Sequence, residues 1–134
     1  MSDAIECDEK LDHLAPAGYY IAIRVGFAFP MEEMNALPTE WVHFYTRQRF
    51  MMHDPIIRWI YSNVGAVRWS DIDIDDPKRV IELGREHGLK YGVAVSCFDE
   101  SSDGQRSFGT FARSDREYTD EEIRQLTETV THLH

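Results

Sequence analysis

Residues Trp41–Trp69 read WVHFYTRQRFMMHDPIIRWIYSNVGAVRW, and the spacing within this stretch decides how the rest of the chain is read. At helical period Trp41, Phe44, Tyr45, Gln48 and Met52 fall on or near one face of a helix opened by Pro38-Thr39-Glu40. Trp41 and Tyr45 are four residues apart, so their rings are expected to stack along that face. His53-Asp54-Pro55 then breaks the helix. Asp54 precedes a proline, is biased away from helical backbone angles, and can cap the segment that follows. Pro55 suits the first turn of that next helix, IIRWIYSNV, which ends near Gly65. Trp69 closes a short strand-like run, Val67-Arg68-Trp69, ahead of the polar Ser70-Asp71.

Each piece has an ordinary explanation: tryptophan and tyrosine fill cores, and an aspartate before proline caps a helix. The joint spacing says more. Tyr45 follows Trp41 by four, Asp54 follows Tyr45 by nine, and Trp69 follows Asp54 by fifteen, which sets a single anion among aromatic rings. An indole N–H only donates, a carboxylate only accepts, and the ring faces are apolar. Such a set can hold a small amphiphile by one carbonyl and one amide N–H. It contains no activated nucleophile, so the stretch indicates binding rather than catalysis.

The rest of the chain fits a single domain spanning residues 1–134. With 134 residues and 43% hydrophobic content it can bury one sizeable core. A formal charge of −10 opposes direct binding to nucleic acid, since no basic patch is present to neutralise phosphates. Cys7 and Cys97 share no metal-like spacing with other ligands and read as reduced thiols of a cytoplasmic protein. The acidic N-terminus, MSDAIECDEKLDHL, has no apolar signal core, and no run approaches a membrane span.

In chain order, Ser2 or Asp3 caps a helix running to about Leu14, with Ile5, Leu11 and Leu14 as its apolar stripe. GYYIAIRVGFAFP, from Gly18, is a strand apolar on both faces and is expected mid-sheet under helices. Glu32–Leu37 reads as a second strand, although Met-Glu-Glu-Met is also compatible with helix. The acidic loop Ser70–Asp76 lacks the glycine and terminal glutamate of an EF-hand, so no metal is assigned there, and Pro77 opens a further helix stopped by Gly88. Tyr91–Phe98 and Ser107–Arg113 form a hairpin around the polar turn Asp99–Gln105. Thr119-Asp120-Glu121-Glu122 is a capping box for a last helix with Ile123, Leu126, Val130 and Leu133 on one side. About five strands and five helices in this mixed order predict an α+β fold: an α/β/α sandwich around a central antiparallel sheet of about five strands with helices on both faces.

Trp41, Tyr45, Asp54-Pro55 and Trp69 stand, without a gap between them, in the pattern of the autoinducer-binding domain of LuxR-type quorum-sensing receptors. Gly88-Leu89-Lys90-Tyr91-Gly92 is similar to that family's segment before its next strand. The resemblance extends from about Gly18 to the C-terminus and does not include a helix-turn-helix DNA-binding domain. It implies a quorum-sensing role with an N-acyl-homoserine lactone as ligand and no cofactor. Trp41 would donate to the lactone carbonyl, Asp54 would accept the ligand amide N–H, and Tyr45 and Trp69 would wall the lactone. Ile57 and Ile60, with Ile21 and Ile23, would line the acyl tail, and Thr110 would offer a hydroxyl to the acyl carbonyl or amide. The sequence departs from the pattern at Leu37, where many receptors carry a tyrosine that bonds the acyl carbonyl; its acidic loop is also a few residues short and its N-terminus lacks one helix. Two assemblies follow: a homodimer, for which the apolar stripe of the last helix is the expected surface, or pairing with a full-length receptor, in which the chain inhibits its partner without needing ligand. An enzyme, such as a lactonase or acyl transferase, is disfavoured because no histidine cluster has metal spacing and no G-x-S-x-G elbow exists.

Overall fold

The computed structural model describes residues 3–26, 30–99 and 104–134, with the side chains of residues 3–8 not described. The expected cap at Ser2, the side chains of Ile5 and Cys7, and part of the polar turn after Asp99 lie outside the described residues. The elements are α1 (Asp3–Leu14), β1 (Gly18–Val25), β2 (Glu32–Asn35), α2 (Thr39–Arg47), α3 (Pro55–Ser62), β3 (Gly65–Arg68), α4 (Val80–Glu86), β4 (Tyr91–Phe98), β5 (Arg106–Arg113) and α5 (Asp120–Leu133), with 3-10 turns at Phe50–Met52 and Trp69–Asp71. The strands make one sheet in the order β2-β1-β5-β4-β3, with antiparallel neighbours throughout. The α+β sandwich expected from the sequence is the fold observed.

Alternation along the strands sends side chains to two separate cores. Tyr19, Ile21, Ile23, Val93, Val95 and Phe111 pack under α1 and α5 with Leu11, Leu14, Tyr118, Leu126 and Val130. Ala22, Ala94, Phe108 and Ala112 face the other way, under α2, α3 and α4, with Trp41, Phe50, Ile56, Ile60, Trp69, Val80 and Leu89. The apolar side of α5 is therefore spent on the sheet: Leu126 and Val130 are fully buried, and Ile123 and Leu133 pack against the same cluster. This corrects the expectation that the stripe stands uncovered as a dimer surface. The capping box forms as read, with Thr119 accepting from the Glu122 backbone N–H and Glu122 accepting from that of Thr119.

Local physics moves several expected boundaries. α2 stops at Arg47 because Arg49 adopts a left-handed backbone (φ 57°), and the chain re-enters as a 3-10 turn. That turn shifts the phase: Phe50 is buried, whereas Gln48 and Met52, expected on the Trp41 face, are exposed. α4 begins at Val80 rather than Pro77, because the Asp76 carboxylate accepts from the backbone N–H groups of Val80 (2.8 Å) and Ile81 (3.0 Å). Trp69 follows β3 and opens a 3-10 turn instead of ending the strand. Among the described residues no helix is long and apolar enough to cross a membrane.

Candidate ligand-binding site

Between the sheet and the layer of α2, α3 and α4 lies a cavity of about 240 Å³. Its floor is Tyr20, Phe108 and Thr110, its far walls are Ile56, Ile57, Trp69, Val80, Ile81 and Leu89, and Val42, Thr46 and Met51 line it along α2 and the turn after it. At Gly92 the sheet makes room for an aromatic ring. Trp69 lies directly on Gly92, where a Cβ would come within 2.1 Å of the indole ring.

Asp54 and Tyr45 form the polar end. Asp54 takes an extended backbone ahead of Pro55, as the residue before a proline should, and its Oδ1 accepts from the Ile56 backbone N–H at 2.9 Å. Its Oδ2 accepts from the Tyr45 hydroxyl at 2.8 Å. The side chain is only 5% exposed yet lines the cavity. Burial pushes its pKa up to about 6, against the opposing pull of the Tyr45 and Ile56 bonds. Burial first, then the neighbouring Asp54 charge, holds the Tyr45 phenol well above its usual range, so Tyr45 stays a donor.

Trp41 sits at the centre of a ring cluster. It meets Tyr45 edge-on at 5.7 Å rather than stacked, and also contacts Phe44, Phe50 and His87. These ring contacts fix its plane. Its indole N–H makes no hydrogen bond to the described residues and is not sealed from the cavity it lines. The second indole lining the cavity is engaged: Trp69 Nε1 donates to Thr110 Oγ1 at 3.1 Å. Thr110 thus keeps its own proton for an acceptor inside the cavity.

The residues expected from the sequence are mostly brought together. Trp41, Tyr45, Asp54, Ile57, Trp69 and Thr110 all line one cavity. Ile60 does not line it: it is fully buried beneath, in the core between α3 and the sheet. Ile21 and Ile23 point into the opposite core, one residue out of phase with Tyr20 and Ala22, so neither lines the cavity. Leu37 lines the cavity as a plain hydrocarbon. Sequence reading missed Phe50, Ile56 and His87. Phe50 and Ile56 carry the apolar signal but not the phase; His87, whose Nδ1 lies 3.0 Å from the Leu83 carbonyl oxygen, carries no local signal for packing on Trp41. Among the described residues no three His, Cys, Asp or Glu side chains gather as a metal site.

A family model described as the autoinducer binding domain matches residues 19–134. The chain belongs to the autoinducer-binding domain family. It is a family of sensing domains rather than enzymes, and the match runs from β1 through α5. A sequence comparison with curated proteins gives no match. Among solved structures, the domain is similar to the N-acylhomoserine-lactone-dependent LuxR-family factor CepR2 of Burkholderia cenocepacia, with 19% identity and a TM-score of 0.66 over 96% of this chain and 89% of that one. It is also similar to Escherichia coli SdiA, with 24% identity and a TM-score of 0.71, and to SdiA in complex with octanoyl-rac-glycerol, with 23% and 0.72. Each of those covers 98% of this chain, which spans 59% and 57% of the two SdiA chains. At these identities the structures establish a shared fold.

Proposed function

We propose that this domain senses an N-acyl-homoserine lactone or a similar small amphiphile, held between the sheet and α2–α4, as the ligand-binding part of a LuxR-type quorum-sensing regulator. The observation that carries this reading is the pairing of opposite polar groups on a mostly apolar cavity: the Trp41 N–H, with no protein acceptor among the described residues, and the buried Asp54 carboxylate. Trp41 donates to the lactone carbonyl and Asp54 accepts the amide N–H, a charge-assisted bond worth roughly 1.5–3 kcal/mol. Thr110 donates to the acyl carbonyl, in place of the hydroxyl that Leu37 lacks. Ile56, Ile57 and Phe108 take the tail at roughly 0.8 kcal/mol per buried methylene. A cavity of about 240 Å³ lies below the usual 300–1,000 Å³ of small-molecule pockets and favours short acyl chains.

Ligand acts through stability: occupancy at 100 times the dissociation constant adds roughly 2.7 kcal/mol, enough to shift a marginally stable domain from turnover to accumulation. The formal charge of −10 stands against direct contact of this domain with DNA. The test is mass spectrometry of small molecules extracted from the protein expressed beside a lactone synthase, paired with thermal shifts on adding lactone. A co-purifying lactone and a concentration-dependent rise in Tm are expected; neither appearing with any acyl chain length would sink the reading.

A further inference from the structure

At the β1–β2 edge of the cavity stands a second polar group, separate from Asp54. Tyr20 faces Asn35 on β2 and Thr110 on β5, and Ala22 faces Glu33, so Tyr20, Glu33, Asn35 and Thr110 share the cavity side of the sheet. Tyr20 and Asn35 line the cavity, and the Tyr20 ring rests against Phe108 at 6.0 Å. The Tyr20 hydroxyl donates to the Glu33 carboxylate. Burial, and then that bond and charge, raise the phenol well above its usual range, so it retains its proton. A phenol has one proton to give; with it committed to Glu33, the oxygen of this cavity-lining side chain is left as an acceptor. Asn35 is set the other way: its Oδ1 accepts from the Leu37 backbone N–H at 3.1 Å, leaving its amide N–H groups as donors. A hydroxyl both donates and accepts, a keto oxygen only accepts, and a methylene does neither.

We propose that Tyr20, backed by Glu33 and faced by Asn35, selects a ligand whose acyl chain carries a hydroxyl near its carbonyl, over unsubstituted and keto chains. The position follows from the register, because Tyr20 is the direct cross-strand neighbour of Thr110 and the third acyl carbon is two bonds from the carbonyl carbon. This inference rests on the functional reading above, in which Thr110 holds that carbonyl.

The experiment is a tryptophan-fluorescence titration with hexanoyl-, 3-oxohexanoyl- and 3-hydroxyhexanoyl-homoserine lactone, since Trp41 and Trp69 line the cavity. The unaltered domain is expected to bind the 3-hydroxy compound roughly five- to tenfold tighter than the unsubstituted one, the scale of one net hydrogen bond. Tyr20→Phe is expected to bring that ratio within twofold. Glu33→Ala, on the exposed edge strand, returns the Tyr20 proton to the cavity and is expected to shift preference toward the 3-oxo compound; it keeps the test usable if Tyr20→Phe folds poorly. Equal binding of all three lactones by the unaltered domain overturns this inference alone, as does a ratio unchanged in both variants. Failure of all three to bind overturns the functional reading and this inference with it.

Discussion

Along β4 and β5, the residues turned toward α1 and α5 include Val93, Val95 and Phe111, while those turned toward α2–α4 include Gly92, Ala94, Thr110 and Ala112. At the same register these two strands put Val93, Val95 and Phe111 on one side and, apart from Phe108, mostly small residues on the other. On the first side helices meet the sheet through close packing of branched and aromatic side chains. On the second the sheet contributes Tyr20 and Phe108, and the helices and 3-10 turns bring Trp41, Phe50, Ile56 and Trp69, around a space of about 240 Å³. One face is packed throughout and the other shares its core with a cavity, because dense packing and an open space cannot occupy the same part of a face.

The largest effect expected from breaking this division is on the packed face. Phe111 is fully buried and its ring lies over Gly109, where a Cβ would approach within 2.6 Å. Phe111→Ala should lower the unfolding free energy by about 3–5 kcal/mol, measured by urea denaturation. A loss below about 1 kcal/mol would mean that this face is not the tighter one.

Asp54 tests the other face, where the buried anion destabilises the unliganded fold. Asp54→Asn should cut ligand-dependent stabilisation by about 1.5–3 kcal/mol, read as thermal shifts at matched lactone concentrations. Without ligand and above pH 7, the same variant should be no less stable than the parent, since an amide can still cap α3 without an ionised group in the interior. The pH dependence has a defined sign. With its folded pKa raised to about 6 from an ordinary value near 4, Asp54 keeps its proton longer in the native state. Its contribution to stability is therefore greatest below about pH 4, falls as pH rises from 4 to 6, and is level above that. Ligand binding runs oppositely: about a tenth of the carboxylate is ionised at pH 5 and about nine tenths at pH 7, so affinity should rise about tenfold over that interval. A flat affinity profile would mean that Asp54 caps the helix and meets no ligand donor.

How far the sequence carried the reading follows from which features are local. The Asp54-Pro55 junction, the capping box of α5 and the β4–β5 hairpin rest on neighbours in the chain, and they form where read. For Ile21 and Ile23 the sequence leaves the side open, because β1 is apolar on both faces and alternation alone does not choose between them. The pairing Tyr20↔Thr110 is what fixes it. Helical period puts Ile60 on the side of α3 that carries Ile57, but it gives a direction around the helix and no depth. Phe50 went unnoticed because the helix ends at the left-handed Arg49, a change of phase that a helical count cannot anticipate. His87 reaches Trp41 only through the packing of α4 on α2, which no local pattern encodes.

A smaller effect sharpens the comparison at Gly92. A methyl group there would sit 2.1 Å from the Trp69 ring, so Gly92→Ala must displace that indole and its bond to Thr110. The overpacking cost should be about 1–3 kcal/mol of stability. Lactone-dependent stabilisation should fall as well, because Trp69 and Thr110 both line the cavity. Unchanged lactone response in this variant would remove Trp69 from the site.

The smallest expected effect lies back on the packed face. Tyr118 is buried against α5 and the sheet, with the Arg113 guanidinium 5.8 Å from its ring centroid, and its hydroxyl has no hydrogen-bond partner among the described residues. Burying a hydroxyl without a partner costs about 1–3 kcal/mol, so removing it should relieve part of that cost while the ring keeps its packing. Tyr118→Phe is therefore expected to be neutral or to stabilise the domain by up to about 1 kcal/mol in urea denaturation, with ligand response untouched, since Tyr118 lies across the sheet from the cavity. A clear destabilisation would show that the hydroxyl is satisfied by water in solution. The packed face would then hold a polar group in use, and the contrast between the two sides of the sheet would be one of size and not of polarity.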